Sequence, residues 1–78
     1  MYTQPKFAVI AQTVDGYTHD TLFDTLEAAL AYANYAWEEM TDRERKGFLS
    51  YSIMTGYLDE RNCFNTQLAQ TIRTYHPQ

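Results

Sequence analysis

The sequence predicts an α+β domain in which one main helix packs on an antiparallel β-sheet of three or four strands. Three features predict this fold class: a helical spacing of apolar residues after Asp24, an Asp-Gly turn between two β-rich stretches before it, and an alternating β-rich stretch after Gly47. The predicted order is β-β-α-β, with a final strand as an option. A chain of 78 residues fits a single domain with a small core.

Residues 6–23 predict a β-hairpin. Residues 7–14 are rich in β-forming side chains, Asp15-Gly16 is a strong signal for a two-residue turn, and residues 17–23 continue with Thr, Leu and Phe. Both alternating faces of the first strand carry apolar residues. The pattern therefore leaves open which of the two faces is buried.

The main helix is predicted over residues 24–40, with a length of about 16 residues. Asp24 is the predicted N-cap, and Glu27 stands three residues later, where its carboxylate can complete a capping box. Beyond the cap, apolar side chains recur at spacings of four and three, which places them on one buried face. This apolar face consists of Leu26, Leu30, Ala33, Trp37 and Met40.

A second helical turn is predicted directly after the main helix. Thr41 can act as a new N-cap with Glu44 three residues on, and Gly47 is expected to end the turn through a left-handed cap. Arg43, Arg45 and Lys46 lie in this turn and account for half of the six basic side chains.

The remaining chain predicts one strand and one ambiguous segment. Residues 48–57 alternate, and the side that carries Tyr51, Ile53 and Tyr57 is the better candidate for the core. Residues 64–75 fit either a helical face or a strand. The β-forming run at residues 71–75 favours a strand over residues 70–75, and the helical alternative stays open.

Composition predicts an acidic protein without a cofactor or a metal site. Ten acidic and six basic residues give a net charge of −4. Cys63 is the only cysteine, which excludes an internal disulfide and a cysteine-based metal cage. The first residues lack a basic segment followed by an apolar run, and no stretch approaches about 18 apolar residues. We therefore expect a cytoplasmic protein that does not bind a membrane.

No sequence pattern indicates catalysis. None of the common nucleophile, metal-protease or nucleotide-loop motifs occurs, and the three glycines are scattered. His19 and His76 stand far apart in the sequence, and we expect both at the surface. No catalytic residue is assigned, and the protein is expected not to be an enzyme.

Aromatic residues indicate a binding surface. Seven tyrosines, four phenylalanines and one tryptophan are many for one small core, and tyrosine is enriched where proteins meet. Tyr32 and Tyr35 stand off the apolar face of the main helix. This flank is a candidate recognition face or homodimer contact, or its rings pack over the sheet edge. The candidate partner-binding residues are Tyr32, Tyr35, Glu38, Glu39, Arg43 and Arg45.

Residues 23–47 resemble a set of small uncharacterised bacterial and mobile-element proteins. The resemblance rests on Phe-Asp-Thr-Leu-Glu-Ala-Ala from residue 23, Tyr-Ala-Asn-Tyr-Ala-Trp-Glu from residue 32, and Met-Thr-Asp-Arg-Glu-Arg-Lys-Gly from residue 40. In that set a hairpin leads to a helix of the "FDTLEEA" type and a "LTxRE" turn. The resemblance covers about the first three quarters of the chain and carries no catalytic residue. It implies an accessory context in which small acidic proteins block or modulate another protein, as anti-CRISPR inhibitors do.

Two functional hypotheses follow. The first is a protein–protein interaction module, an inhibitor or adaptor that binds a larger partner, for example one that itself binds nucleic acid. The alternative is a small nucleic-acid-binding protein that uses Arg43, Arg45 and Lys46, supported by Arg61 or Arg73. Because the net charge repels phosphate, a direct nucleic-acid partner is disfavoured.

Overall fold

The structure is a computed structural model that describes residues 5–76 and forms a four-stranded antiparallel sheet with one main helix. The first residues, which we expect to lack a basic segment followed by an apolar run, therefore lie mostly outside the described part. The sheet order is β2-β1-β3-β4, which confirms the α+β prediction and the final strand. The elements are β1 (Lys6–Thr13), β2 (Thr18–Phe23), α1 (Leu26–Glu39), α2 (Asp42–Lys46), β3 (Phe48–Gly56) and β4 (Gln70–Thr74).

The β1–β2 hairpin is confirmed, but its loop has three residues and not two. The Thr13 N–H donates to the Tyr17 carbonyl at 2.8 Å, and the Gly16 N–H donates to the Thr13 carbonyl at 3.2 Å. Gly16 has a φ of 98°, a left-handed conformation that glycine adopts without steric cost. This is a type I turn followed by a glycine bulge, so the Asp-Gly pair ends the loop without forming all of it.

Helix α1 begins one residue later than predicted. The N-cap is Thr25, whose hydroxyl accepts the Ala28 N–H at 3.2 Å, so the predicted capping box of Asp24 and Glu27 is wrong. Asp24 instead forms an ion pair with Lys6. Thr25 has extended backbone angles, which is the geometry of an N-cap residue.

Helix α2 has the predicted capping box but not the predicted left-handed end. The Glu44 N–H donates to the Thr41 hydroxyl at 3.2 Å, and the Thr41 N–H donates to the Glu44 carboxylate at 3.0 Å. Gly47 has right-handed angles (φ −74°, ψ −5°), and its N–H bonds back to the Glu44 carbonyl. The left-handed cap is therefore wrong, because the chain passes from a tightened last turn directly into β3.

The main core lies between α1 and one face of the sheet. Ala29 and Ala33 are fully buried under α1, and their small size lets the helix approach the sheet closely. Tyr51 and Ile53 of the predicted tyrosine side of β3 face this core, but Tyr57 lies after the end of β3 and is exposed, so its predicted core position is wrong. The other predicted apolar residues of α1 are partly buried against it. The buried members are Val9, Ala11, Ala29, Ala33, Tyr51, Ile53 and Tyr75.

A second, smaller core lies on the opposite face of the sheet, over β1 and the end of β3. Ala8 and Ile10 of β1 are buried there together with Phe64, which comes from the segment of residues 57–69. Met54, Leu58 and Ala69 pack around them. Both faces of β1 are therefore buried, which explains why its sequence pattern did not single out one.

The carboxyl-terminal strand and the residue after it attach to β3. β4 pairs with β3 through a register shift at Ile53 and Met54, and the Tyr75 N–H donates to the Tyr51 carbonyl at 2.8 Å. This settles the ambiguous segment as loop and then strand, and not as helix. Within the described residues, neither helix has the length and hydropathy needed to cross a lipid bilayer.

Candidate protein-interaction surface

The outer face of α1 is defined here as Tyr32, Tyr35, Glu38 and Glu39, with Tyr35 opposite the buried side of the helix and Tyr32 and Glu38 on its two flanks. Tyr35 is 69% exposed, and both glutamates are exposed. Tyr35 lies two residues from Ala33, which corresponds to about 200° around the helix axis. Because Ala33 is fully buried against the sheet, the same periodicity that buries Ala33 presents Tyr35 to solvent.

Tyr32 and Tyr35 differ in their surroundings. The Tyr32 ring packs against the Phe23 ring of β2 with 5.2 Å between centroids, and 44% of Tyr32 remains exposed. Tyr32 thus lies over the sheet edge while keeping one side accessible. Tyr35 is the more accessible ring on this face.

Arg45 is folded onto the end of α1. Its Nε donates to the Trp37 carbonyl at 2.9 Å and its Nη2 to the Glu38 carbonyl at 3.2 Å. A third bond joins Nη1 to the Asp42 carboxylate at 3.2 Å. The guanidinium also lies over the Trp37 ring, 5.6 Å from its centroid. Arg45 therefore caps the carbonyl end of α1, which has no basic residue in its own last turn.

The predicted basic cluster is divided by this arrangement. Arg43 and Lys46 are exposed on α2, next to the acidic side chains of Asp42 and Glu44. Hydrogen bonds from Thr41, the backbone bond first, hold the pKa of the Glu44 carboxyl below its ordinary value. The positive charge on α2 is therefore offset locally.

The other two basic candidates lie on different elements. Arg61 is exposed in the segment after β3. Arg73 belongs to β4, and its guanidinium lies 4.9 Å from the centre of the Tyr75 ring. The basic residues proposed for nucleic-acid binding thus come from three different parts of the fold, and Arg45 is already engaged by the end of α1.

A polar cleft lies between the second half of α1 and the end of β4. It has a volume of about 260 Å³, and the Tyr75 hydroxyl donates to the Asn34 side chain at its base. Burial raises the pKa of Tyr75, while Arg73 opposes this shift and Glu38 adds to it. The cleft brings together charges of both signs. Its lining is Asn34, Trp37, Glu38, Arg73, Thr74, Tyr75 and His76.

A larger groove of about 410 Å³ lies at the tip of the β1–β2 hairpin. Sequence reasoning missed this site, because the residues come from the hairpin loop, the end of α1, α2 and the start of β3. The only local signal was Val14, an apolar residue in the hairpin loop. Val14 is 60% exposed in the structure. The groove is lined by Thr13, Val14, Asp15, Met40, Glu44, Gly47 and Phe48.

The two histidines lie at opposite edges of the sheet. His19 is exposed on β2, and His76 is exposed just after β4. Among residues 5–76, no group of three or more His, Cys, Asp and Glu side chains is arranged to hold a metal ion.

The chain was compared with protein-family models, curated proteins and solved structures, and none of the three comparisons gave a match.

Proposed function

We propose that this protein is a non-enzymatic protein–protein interaction module that binds a larger partner through the outer face of α1. The observation that supports this most is Tyr35, which is 69% exposed beside two exposed carboxylates. An exposed tyrosine supplies a large and rigid contact area with a polar tip. Together with Glu38 and Glu39, it fits a partner surface that offers an apolar recess with a basic rim.

The rigidity of α1 supports the same proposal. Arg45 fixes the carboxyl end of the helix, and the Tyr75 hydroxyl joins its middle to the end of β4 through Asn34. A surface that is already ordered loses little conformational entropy when it binds. The outer face of α1 is therefore suited to a preformed contact.

The biological setting is part of the proposal and rests on the resemblance of residues 23–47. We place the protein in the cytoplasm as an inhibitor or adaptor from a mobile element or accessory region. Its net charge of −4 favours encounter with a basic partner, such as a protein that itself binds nucleic acid.

The test is affinity capture with matched variants. Tagged wild-type protein, the triple variant Tyr35→Ala/Glu38→Gln/Glu39→Gln and the control Tyr57→Ala are each used as bait in native cells. Tyr57 is 51% exposed but lies after β3, away from α1. We expect one major partner with the wild type and with the control, and its loss with the triple variant. Equal capture by all three baits would overturn the proposal.

Two further measurements separate the alternatives. Light scattering gives the mass in solution, and a wild-type dimer that becomes a monomer in the triple variant would assign this face to a second copy of the chain. A gel shift with bare DNA and RNA tests the nucleic-acid hypothesis. We expect no shift, whereas salt-sensitive retention that is lost on Arg43→Ala/Lys46→Ala would favour the alternative function.

A further inference from the structure

The groove at the hairpin tip is lined by apolar and acidic side chains. Val14, Met40 and Phe48 supply the apolar side chains, while Asp15 and Glu44 supply two carboxylates. Among the described residues that line it, none is a lysine or an arginine. A volume of about 410 Å³ lies within the range of pockets that hold small ligands or the side chains of a partner.

The walls of this groove are fixed by hydrogen bonds. The Val14 N–H donates to the Gly47 carbonyl at 2.9 Å, which ties the hairpin loop to the junction between α2 and β3. The capping box holds the Glu44 carboxylate through the Thr41 N–H. The turn closed by Gly16 sets the position of Asp15. The Glu44 carboxylate is therefore held by a hydrogen bond, and the backbone that carries Asp15 is held by the hairpin turn.

Charge complementarity defines the occupant of such a site. An arginine side chain has an apolar stem that can lie along Val14 and Phe48, and a guanidinium that binds carboxylates through two parallel bonds. It is also more weakly hydrated than a lysine ammonium, so less solvation is lost when it enters an apolar groove. The Glu44 carboxylate already accepts the Thr41 N–H, but a neutral apolar side chain would offer neither carboxylate a cation.

We propose that the hairpin-tip groove binds an arginine side chain carried on an apolar segment of the protein partner. This proposal rests on the proposed function as an interaction module, and it adds the chemistry of the partner. It also places a second contact at the tip of β1 and β2, beyond the outer face of α1.

The probe is a short peptide that needs no knowledge of the partner. An acetylated and amidated Leu-Arg-Arg-Leu peptide is titrated into the ¹⁵N-labelled wild-type protein, and the same peptide with citrulline in place of arginine serves as the neutral control. We expect saturable shifts of the Val14, Gly47 and Phe48 amides at millimolar peptide. The citrulline peptide should bind at least about tenfold more weakly, because it lacks the charge that pairs with carboxylates.

Two double variants locate the binding site. Asp15→Asn/Glu44→Gln removes both carboxylate charges of the groove while glutamine can still complete the capping box, so the fold is retained. This variant should lose at least about tenfold in affinity for the arginine peptide. Glu38→Gln/Glu39→Gln removes the same number of charges from the outer face of α1 and should bind the peptide like the wild type.

Three results would overturn the proposal. They are the absence of saturable shifts at the groove, equal binding of the arginine and citrulline peptides, and equal losses in the two double variants. Because the titration uses no partner, its failure leaves the capture experiment with Tyr35 unaffected. Conversely, peptide binding without a captured partner would retain the groove and reject the proposed function.

Discussion

Arg45 belongs to the basic cluster that the sequence suggested for binding. In the structure, its side chain instead caps the carboxyl end of α1. The last carbonyls of a helix have no partner within the helix, and a cation near them offsets the negative end of the helix dipole. In α1 this cation comes from the next helix, because the tight turn at Met40 and Thr41 returns the chain over Trp37. Arg45 contacts two of these carbonyls directly.

Replacing Arg45 should therefore reduce stability. We expect Arg45→Ala to lower the free energy of unfolding by about 1–2 kcal/mol, because two charge-assisted hydrogen bonds and the packing on Trp37 are lost. The measurement is urea denaturation followed by circular dichroism. The matched control is Arg43→Ala, an exposed arginine of the same helix, which should change stability by less than about 0.5 kcal/mol. Equal losses in the two variants would contradict the capping role.

The start of α1 marks one limit of what sequence can predict. Asp24 and Thr25 are both good N-cap residues, and Glu27 lies three residues after the first of them, so a local pattern favours Asp24. The structure uses Thr25, while Asp24 pairs with Lys6. Lys6 is 18 residues away in sequence, and only the folded hairpin brings it close. The choice between adjacent caps therefore depends on a long-range contact.

At the scale of elements, an aromatic cluster joins α1, β3 and the end of β4. The Trp37 ring stacks on Tyr51 with 5.2 Å between centroids and lies 5.7 Å from the Tyr75 ring. Tyr51 and Tyr75 meet edge to face at 5.5 Å, and Phe48 closes the cluster against Tyr51. The alternation of β3 predicted the position of Tyr51. Tyr75 was predicted as the last residue of a strand over residues 70–75, but the pattern did not indicate that its ring is buried, and the structure places it just after β4.

This cluster predicts a loss of stability in alkali. Burial, followed by the neighbouring Tyr32 and Tyr75, raises the pKa of Tyr51 from 10.0 to about 12. Between these values the unfolded chain has lost the Tyr51 proton and the folded chain has kept it. The unfolded state then binds fewer protons, so the free energy of unfolding falls as pH rises through this interval.

The measurement is a tyrosine titration by ultraviolet absorbance, with stability measured in parallel. We expect Tyr51→Phe to remove one tyrosine from the part of the curve near pH 12 and to leave the part near pH 10 unchanged. Its stability should also depend less on pH in this interval. A wild-type curve in which Tyr51 titrates with the exposed tyrosines would contradict the buried position.

The segment after β3 provides the second core through one aromatic side chain. Phe64 is 8% exposed. A Cβ atom added to Gly56 would lie only 3.1 Å from the Phe64 ring. This close approach shows why a glycine stands at the end of β3. The sequence did not predict the contact, because residues 64–75 fit both a helical face and a strand, so the pattern did not place Phe64 against the sheet.

A matched pair of variants in this segment tests the second core. We expect Phe64→Ala to lower the free energy of unfolding by about 3 kcal/mol, because a buried ring is removed and a cavity is left. Leu68→Ala truncates an apolar side chain that is 80% exposed and should cost less than about 0.5 kcal/mol. The measurement is thermal and urea unfolding of both variants. Similar losses of unfolding free energy in Phe64→Ala and Leu68→Ala would show that the segment does not cover the sheet.

At the scale of the whole molecule, a core lies on each face of the central strand β1, and the candidate binding surfaces lie outside the two cores. The outer face of α1 was predictable from sequence, because one helical period determines both its buried and its exposed positions. The hairpin-tip groove was not, because it joins residues 13–15 to residues 40–48. Such a site exists only after β1 has paired with β3.

The most direct test of the proposed function is the affinity of the captured partner for wild-type protein and for Tyr35→Ala, measured by calorimetry. Truncation of a central aromatic contact should weaken binding at least about tenfold, or about 1.4 kcal/mol, while Tyr57→Ala should bind like the wild type. An affinity unchanged by Tyr35→Ala would show that the partner binds elsewhere and would contradict the role assigned to the outer face of α1.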